Sequence, residues 1–364
     1  MWLTCSSIGR KFVMALTGIC LVLFVTFHVL MNSVALIWPA AYNVICEFLG
    51  ANWYALIASM GLAVLFIIHI IYAVWLTVQN RAARGTDRYA INSRPPQVEW
   101  SSKNMLVLGI VILAFLVVHL IQFWAKMQLQ ELVSHDLTAY PTVAEAPAAP
   151  EFGTLFLQAA FECWWTPVIY IIGFVALWFH MNHGFWSMFH TVGWDNNTWL
   201  PRLKTISCWW TSIVVLLFIA QAVLFTVQAN NKFFLTNDKL QEQYAEYWSG
   251  KAEALIEEFQ NEVSAVQNNA QGYDRQGAMI NFFKERGEYY TAQSQAIANA
   301  AKAQAPDVNN ATLQQFAGFS EFVKGNTERV AEMTITDAEP AQEPAAAAPA
   351  EEAAEETTTE TNNQ

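Results

Sequence analysis

The chain has 364 residues, 54% of them apolar and only 14% charged, with a net charge of −12. The acidity is confined to one end: residues 1–229 carry 10 Lys/Arg against 9 Asp/Glu, and residues 230–364 carry 9 against 22. The first two thirds are too oily for a single water-soluble domain, and the acidic surplus of the last third argues against nucleic acid as a partner, because a phosphate backbone repels it.

Five apolar segments follow one another: Phe12–Trp38, Trp53–Val78, Met105–Ala125, Pro167–Val192 and Ile206–Gln228. Each reaches the roughly 20 residues needed to cross a hydrocarbon core of about 30 Å. Arg10 and Lys11 precede the first, as they would a secretory signal, but its apolar run is too long and no small-x-small cleavage site follows. It is read as a retained membrane helix.

Positive charge gives the orientation. Arg10 and Lys11 precede the first span; Arg81, Arg84, Arg88, Arg94 and Lys103 fill the second-to-third loop; Arg202 and Lys204 fill the fourth-to-fifth. The opposite loops hold Lys126 beside Glu47, Glu131, Asp136, Glu145, Glu151 and Glu162. The N-terminus is expected in the cytoplasm and the C-terminus outside.

After Gln228 the texture changes. Leu240, Tyr244, Leu255, Phe259, Val263 and Val266 recur at helical spacing with a charged opposite face, and ATLQQFAGFSEFV at 311–323 reads alike. Two to four amphipathic helices are expected there, and beyond Asp337 an acidic, low-complexity, disordered tail. The expectation is an all-α protein: a five-helix transmembrane bundle over 1–229, an extracytoplasmic helical extension over 230–335, and a disordered tail over 336–364.

Four spans each carry a histidine in their apolar run: His28, His69, His119 and His180. A polar ring in hydrocarbon is costly unless something engages it. Counting about 1.5 Å per residue from the span ends, His28 and His119 lie roughly 21–24 Å up from the cytoplasmic side. His69 and His180 lie about 20–24 Å down from the outer side. Two histidines on two helices at each of two levels is what two porphyrin irons need for axial imidazole ligation. One such histidine alone would read as a hydrogen-bonded residue at a helix interface. A zinc site would want its ligands at one depth.

His183 lies one turn beyond His180, and depth alone does not separate them; His190 reads as interfacial and His135 as solvated. Gly18, Gly61, Gly109 and Gly173 precede the four histidines by ten, eight, ten and seven residues. They read either as thinned helix faces beside a flat macrocycle or as ordinary glycines of membrane helix packing. The five cysteines form no C-x-x-C-H, so covalent haem attachment is excluded. Cys46 and Cys163 share the outer side, as a disulfide or as two free thiols.

SSIGRKFVMALTG leading to His28, GLAVLFIIH ending at His69, GIVILAFLVVH ending at His119, and IYIIGFVALWFHMNHGFWSMFHTVGW around His180 with the following PRLKTIS resemble one family. It is the cytochrome b membrane anchor of succinate dehydrogenases and fumarate reductases, the succinate:quinone oxidoreductases, in its single five-helix, di-haem form. The resemblance covers about residues 1–229. It implies two b-type haems: an outer one between His28 and His119, and an inner one between His69 and His180, with His180 preferred over His183. It also implies a flavin-bearing (FAD) subunit and an iron–sulfur subunit on the cytoplasmic side of a bacterial cytoplasmic membrane, menaquinone or another quinone as electron partner, and no succinate chemistry in this chain. The loop Arg81–Lys103 would serve docking and propionate pairing. Some relatives carry a glutamate two residues before the fourth ligand, implicated in proton movement; here Trp178 stands there, which puts that route in doubt.

Quinone chemistry needs a proton-exchanging group near an apolar slot. Glu47 is the outer candidate, with Trp53, Trp164 and Trp165 as aromatic-belt residues or slot walls. The rival readings are a cytochrome b anchor of a hydrogenase or formate dehydrogenase, and a non-redox transporter or scaffold.

Overall fold

A computed structural model describes residues 6–84, 99–194, 196–270 and 274–333. Helix accounts for about 86% of the structure. Five helices are long and apolar enough to cross a membrane: α1 (Ser7–Ile37), α3 (Trp53–Arg84), α4 (Trp100–His119), α7 (Trp165–Thr191) and α8 (Trp199–Asn230). They outrun the apolar segments at the ends rich in Arg, Lys and Trp, because such side chains keep the helix while reaching polar surroundings.

Local chemistry sets the breaks. Ser6 caps α1 by accepting from the Gly9 backbone N–H at 2.9 Å. Trp38 leaves helical geometry, and Pro39 then opens α2 (Pro39–Ala51), a short helix lying between α1 and α3. One face of α2 is exposed at Val44, Phe48 and Leu49, and the other buries Tyr42 and Asn43. Directly after His119 the chain takes a π-helical turn, Leu120–Trp124, a widening often found at functional positions.

In the spanning bundle, α7 packs on α4, α8 and α1, while α1 also holds α3 and α8. Helices α3 and α4 barely touch. The connection from α4 to α7, expected only as a loop, is built. It holds α5 (Gln128–Val133), a two-stranded ladder of β1 (Thr142–Val143) and β2 (Ala146–Pro147), and α6 (Gly153–Phe161). All of α6 except Ala159 is buried. A helix surrounded on all sides reads as a short apolar run with no face, so periodicity could not announce it.

After α9 (Phe233–Thr236), helices α10 (Asp238–Asn269), α11 (Arg275–Gln304) and α12 (Ala311–Glu332) pack on one another. Leu240, Tyr244, Trp248, Leu255 and Phe259 form the buried stripe of α10, so apolar periodicity and burial coincide there. These helices sit on α2 and on the connection between α4 and α7. Asn43 accepts from both the backbone N–H and the hydroxyl of Thr154, at 3.0 and 2.8 Å, and donates to Gln243 at 3.0 Å. Gln304 accepts from the Trp248 indole at 2.8 Å and donates to the Pro147 carbonyl at 2.6 Å.

Cys46 and Cys163 are free thiols. The Cys46 sulfur lies against Gly153, where an added Cβ would meet it at 2.6 Å, and Cys163 faces outwards. Arg88, Arg94, the Arg84 side chain and the acidic tail lie outside the described residues.

Candidate functional site

The four intramembrane histidines meet in two pairs. His28 of α1 faces His119 of α4 with ring centres 5.8 Å apart, and His69 of α3 faces His180 of α7 at 6.3 Å. Two imidazoles on opposite sides of one metal ion stand with ring centres about 6 Å apart, the sum of two metal–nitrogen bonds of about 2 Å and two ring radii. Both pairs have that spacing. The first lies towards α6 and the extension, through Tyr170, whose ring packs on His119 at 6.0 Å and on Phe161 at 5.3 Å. The second lies towards the end where Glu99 and Lys204 meet.

Hydrogen bonding fixes how two of the rings present themselves. The Thr17 hydroxyl donates to the Val13 carbonyl at 2.9 Å, so it accepts from His69 Nδ1–H at 3.0 Å. The Tyr170 hydroxyl donates to Gln122 at 2.8 Å and accepts from His119 Nδ1–H at 3.2 Å. In each case the proton rests on Nδ1 and the Nε2 lone pair is left to bind a metal. Asn32 Nδ2 donates to His28 Nε2 at 3.3 Å, a long bond for a ring nitrogen. The Nδ1 of His180 is buried and lacks any hydrogen-bond partner. A buried polar atom with no partner is costly in hydrocarbon, so of the four rings His180 is the one that the protein's own hydrogen bonds leave incompletely satisfied.

His183 is otherwise engaged. Its Nδ1 is 3.3 Å from Glu99, and its ring stands edge-on to Trp186 at 4.9 Å. Glu99 also accepts from Lys204 at 2.8 Å. Partial burial works against its charge, but the Lys204 and His183 contacts outweigh that and hold its pKa below the ordinary value. His180 is therefore the ring aimed at His69. His190 packs on Trp186, and His135 is exposed.

The glycines divide. A Cβ on Gly18 would stand 3.9 Å from His69, and one on Gly109 3.8 Å from His180. Both flank the His69–His180 pair although their own helices carry His28 and His119, because ten residues of helix span about 15 Å, the spacing between the two pairs. Gly173 is filled from outside: Phe115 would meet its Cβ at 2.5 Å, and that ring packs on His119 at 5.9 Å. Gly61 meets nothing within 4 Å. Glu47 is exposed on α2, while Trp53 and Trp164 are exposed at helix ends. Trp178 donates its indole N–H to Ser212 on α8 at 3.0 Å.

Sequence reasoning did not single out Thr17, Tyr170, Gln122 or the π-helical turn. Thr17 and Gln122 carry a weak signal, being polar residues inside apolar spans; Tyr170 carries none. Among the described residues no cluster of three or more His, Cys, Asp or Glu could hold a bare metal ion. No family model, no curated protein and no solved structure matches the chain.

Proposed function

We propose that this chain is the di-haem cytochrome b membrane anchor of a succinate:quinone oxidoreductase, in a bacterial cytoplasmic membrane. The observation that carries the reading is the pairing of four histidines from four spans into two storeys, each with the ring spacing of bis-imidazole ligation. Two b-type haems there would supply one-electron transfer across most of the bilayer.

The chain's own residues do the rest. His28 and His119 grip the outer centre, and His69 and His180 the inner one. Thr17 and Tyr170 hold two imidazoles in the ligating tautomer, which fixes ring orientation and raises basicity. Apolar walls keep water away from both storeys. Arg10, Lys11, Arg81, Lys103, Arg202 and Lys204 mark the cytoplasmic end, where an iron–sulfur subunit bound to an FAD subunit would dock. The exposed face of α2, with Glu47, Phe48 and Leu49, is where a lipid-soluble menaquinone would approach the outer storey.

A reduced-minus-oxidised optical spectrum of the purified chain, with haem counted per polypeptide, tests this. Two b-type haems per chain, together with a co-purifying flavoprotein and iron–sulfur protein, are expected. A spectrum without haem bands would overturn it, and a different co-purifying dehydrogenase would keep the cytochrome and change the complex.

A further inference from the structure

A groove of about 520 Å³ runs between α2 and the start of α10, within the roughly 300–1,000 Å³ of small-molecule sites. Its two walls differ in chemistry. The α2 wall is apolar: Trp38, Ala40, Ala41, Val44 and Ile45. The α10 wall is charged, with Lys239, Glu242 and Glu246 around Gln243. Gln243 ties the walls together. Its Oε1 accepts from Asn43 at 3.0 Å, and its Nε2 donates to the Ala40 carbonyl at 3.3 Å. Those two bonds fix the width of the groove.

Its height in the membrane follows from its neighbours. Helix α2 follows directly on α1, at the end of the bundle opposite Glu99 and Lys204. Ile37, Trp38 and Val44 are exposed there, Ile37 by 85%. Apolar side chains this bare at the end of a spanning helix face lipid, and a tryptophan among them sits at headgroup depth. The charged wall is exposed too, at Lys239, Glu242 and Glu246. These three lie three and four residues apart, on one face of α10. Lys239 and Glu242 could close on each other across a turn, yet among the described residues none of the three is in an ion pair. One cation and two anions, each about one 5.4 Å turn apart, are left facing the groove.

We propose that this groove binds the headgroup of an aminophospholipid, a zwitterionic phosphoethanolamine lipid from the leaflet at this end of the bundle. Lys239 takes the phosphate, Glu242 and Glu246 take the ammonium, and the acyl chains run down past Val44 and Ile37. Two methylene groups separate phosphate from ammonium in that headgroup, a length that one helix turn matches. An anionic headgroup would meet two carboxylates for one lysine, which repel it. A choline ammonium has no N–H to donate and is held by cages of aromatic rings, whereas this groove has one ring, Trp38. The site depends on α2 and the extension alone, with no part for the histidine pairs.

Native mass spectrometry of the full chain in detergent tests this, with phosphatidylethanolamine, phosphatidylcholine and phosphatidylglycerol of identical acyl chains added in turn. One phosphatidylethanolamine per chain should be retained about fivefold more tightly than either of the others, the scale of one exposed ion pair. Glu242→Gln together with Glu246→Gln should bring phosphatidylethanolamine down to the level of phosphatidylcholine. Lys239→Gln should weaken both and leave phosphatidylethanolamine ahead. All three side chains are exposed, so the helices form without them. Equal retention of the three lipids, tighter retention of phosphatidylglycerol, or an ethanolamine preference that survives the double glutamine variant would overturn the assignment.

Discussion

The spanning bundle and the helical extension are packed by opposite rules. Across α3 the apolar side chains Ile57, Val64, Ile67, Ile71 and Val74 face outwards, and in the candidate span of that helix no residue is buried. In the extension, Trp248, Tyr244, Tyr290 and Phe316 are among the largest fully buried side chains. Lipid solvates the first kind of surface, so hydrocarbon burial offers little reward there and the polar minority organises the interior. Water surrounds the second kind, and burial of aromatic area drives its assembly. In the bundle the informative residues are the rare polar ones; in the extension they are the common apolar ones.

The largest expected effect tests the bundle. His69→Ala and His180→Ala should each abolish the same haem signal and leave the other, and His28→Ala and His119→Ala should do the reverse. Loss of different haems from His69→Ala and His180→Ala would break the pairing. Trp248→Ala should cost the extension about 3–5 kcal/mol, the usual penalty for emptying a large aromatic site. Denaturant unfolding followed by circular dichroism would show it, and both haem signals should survive until the extension has melted. Simultaneous haem loss would mean that the two regions fold as one.

Asn43→Ala strips the acceptor from Thr154 and the donor to Gln243 at the join, leaving buried polar groups unpaired at about 1–3 kcal/mol. Its signature is a wider gap between the melting of the extension and that of the bundle. A smaller effect lies in pH. Glu131 holds its proton more tightly in the folded chain, with a pKa near 7, than an ordinary carboxyl at 4.5. The folded state is therefore favoured below about 4.5, and that contribution is lost as pH rises through about 7. Melting temperature should fall between pH 5 and 8, and less steeply in Glu131→Gln. The smallest change is Arg286→Ala, which removes ion pairs to Glu258 and Glu262 on the outside of the extension. Exposed pairs of this kind contribute less than about 1 kcal/mol, so a shift well beyond that would show that α10 and α11 depend on charge more than on their aromatic core.

Long apolar runs and histidines spaced along them were readable in one dimension, because membrane thickness converts residue counts into depth. His28 and His119 could be assigned one level and His69 and His180 another without any contact being known. His180 and His183, three residues apart on one helix, could not be separated by depth. Only the packed helices turn His180 towards His69 and give His183 to Glu99.

The same division holds at the end of the bundle beside α2. Composition marked Glu131 and Glu47 alike as outer carboxylates. Tertiary packing half-buries Glu131, whose carboxylate reaches Gly50 of α2, and leaves Glu47 exposed. Tyr170 and the join at Asn43 were also invisible, and Thr17 only faintly marked, since each acts through partners tens to hundreds of residues away. The sequence by itself determined which segments suit a bilayer and at what height each histidine sits, both being properties of a single helix. Which nitrogen is left open, which carboxylate is half-buried, and how the extension seats on the bundle depend on contacts between helices, and only the tertiary structure decided them.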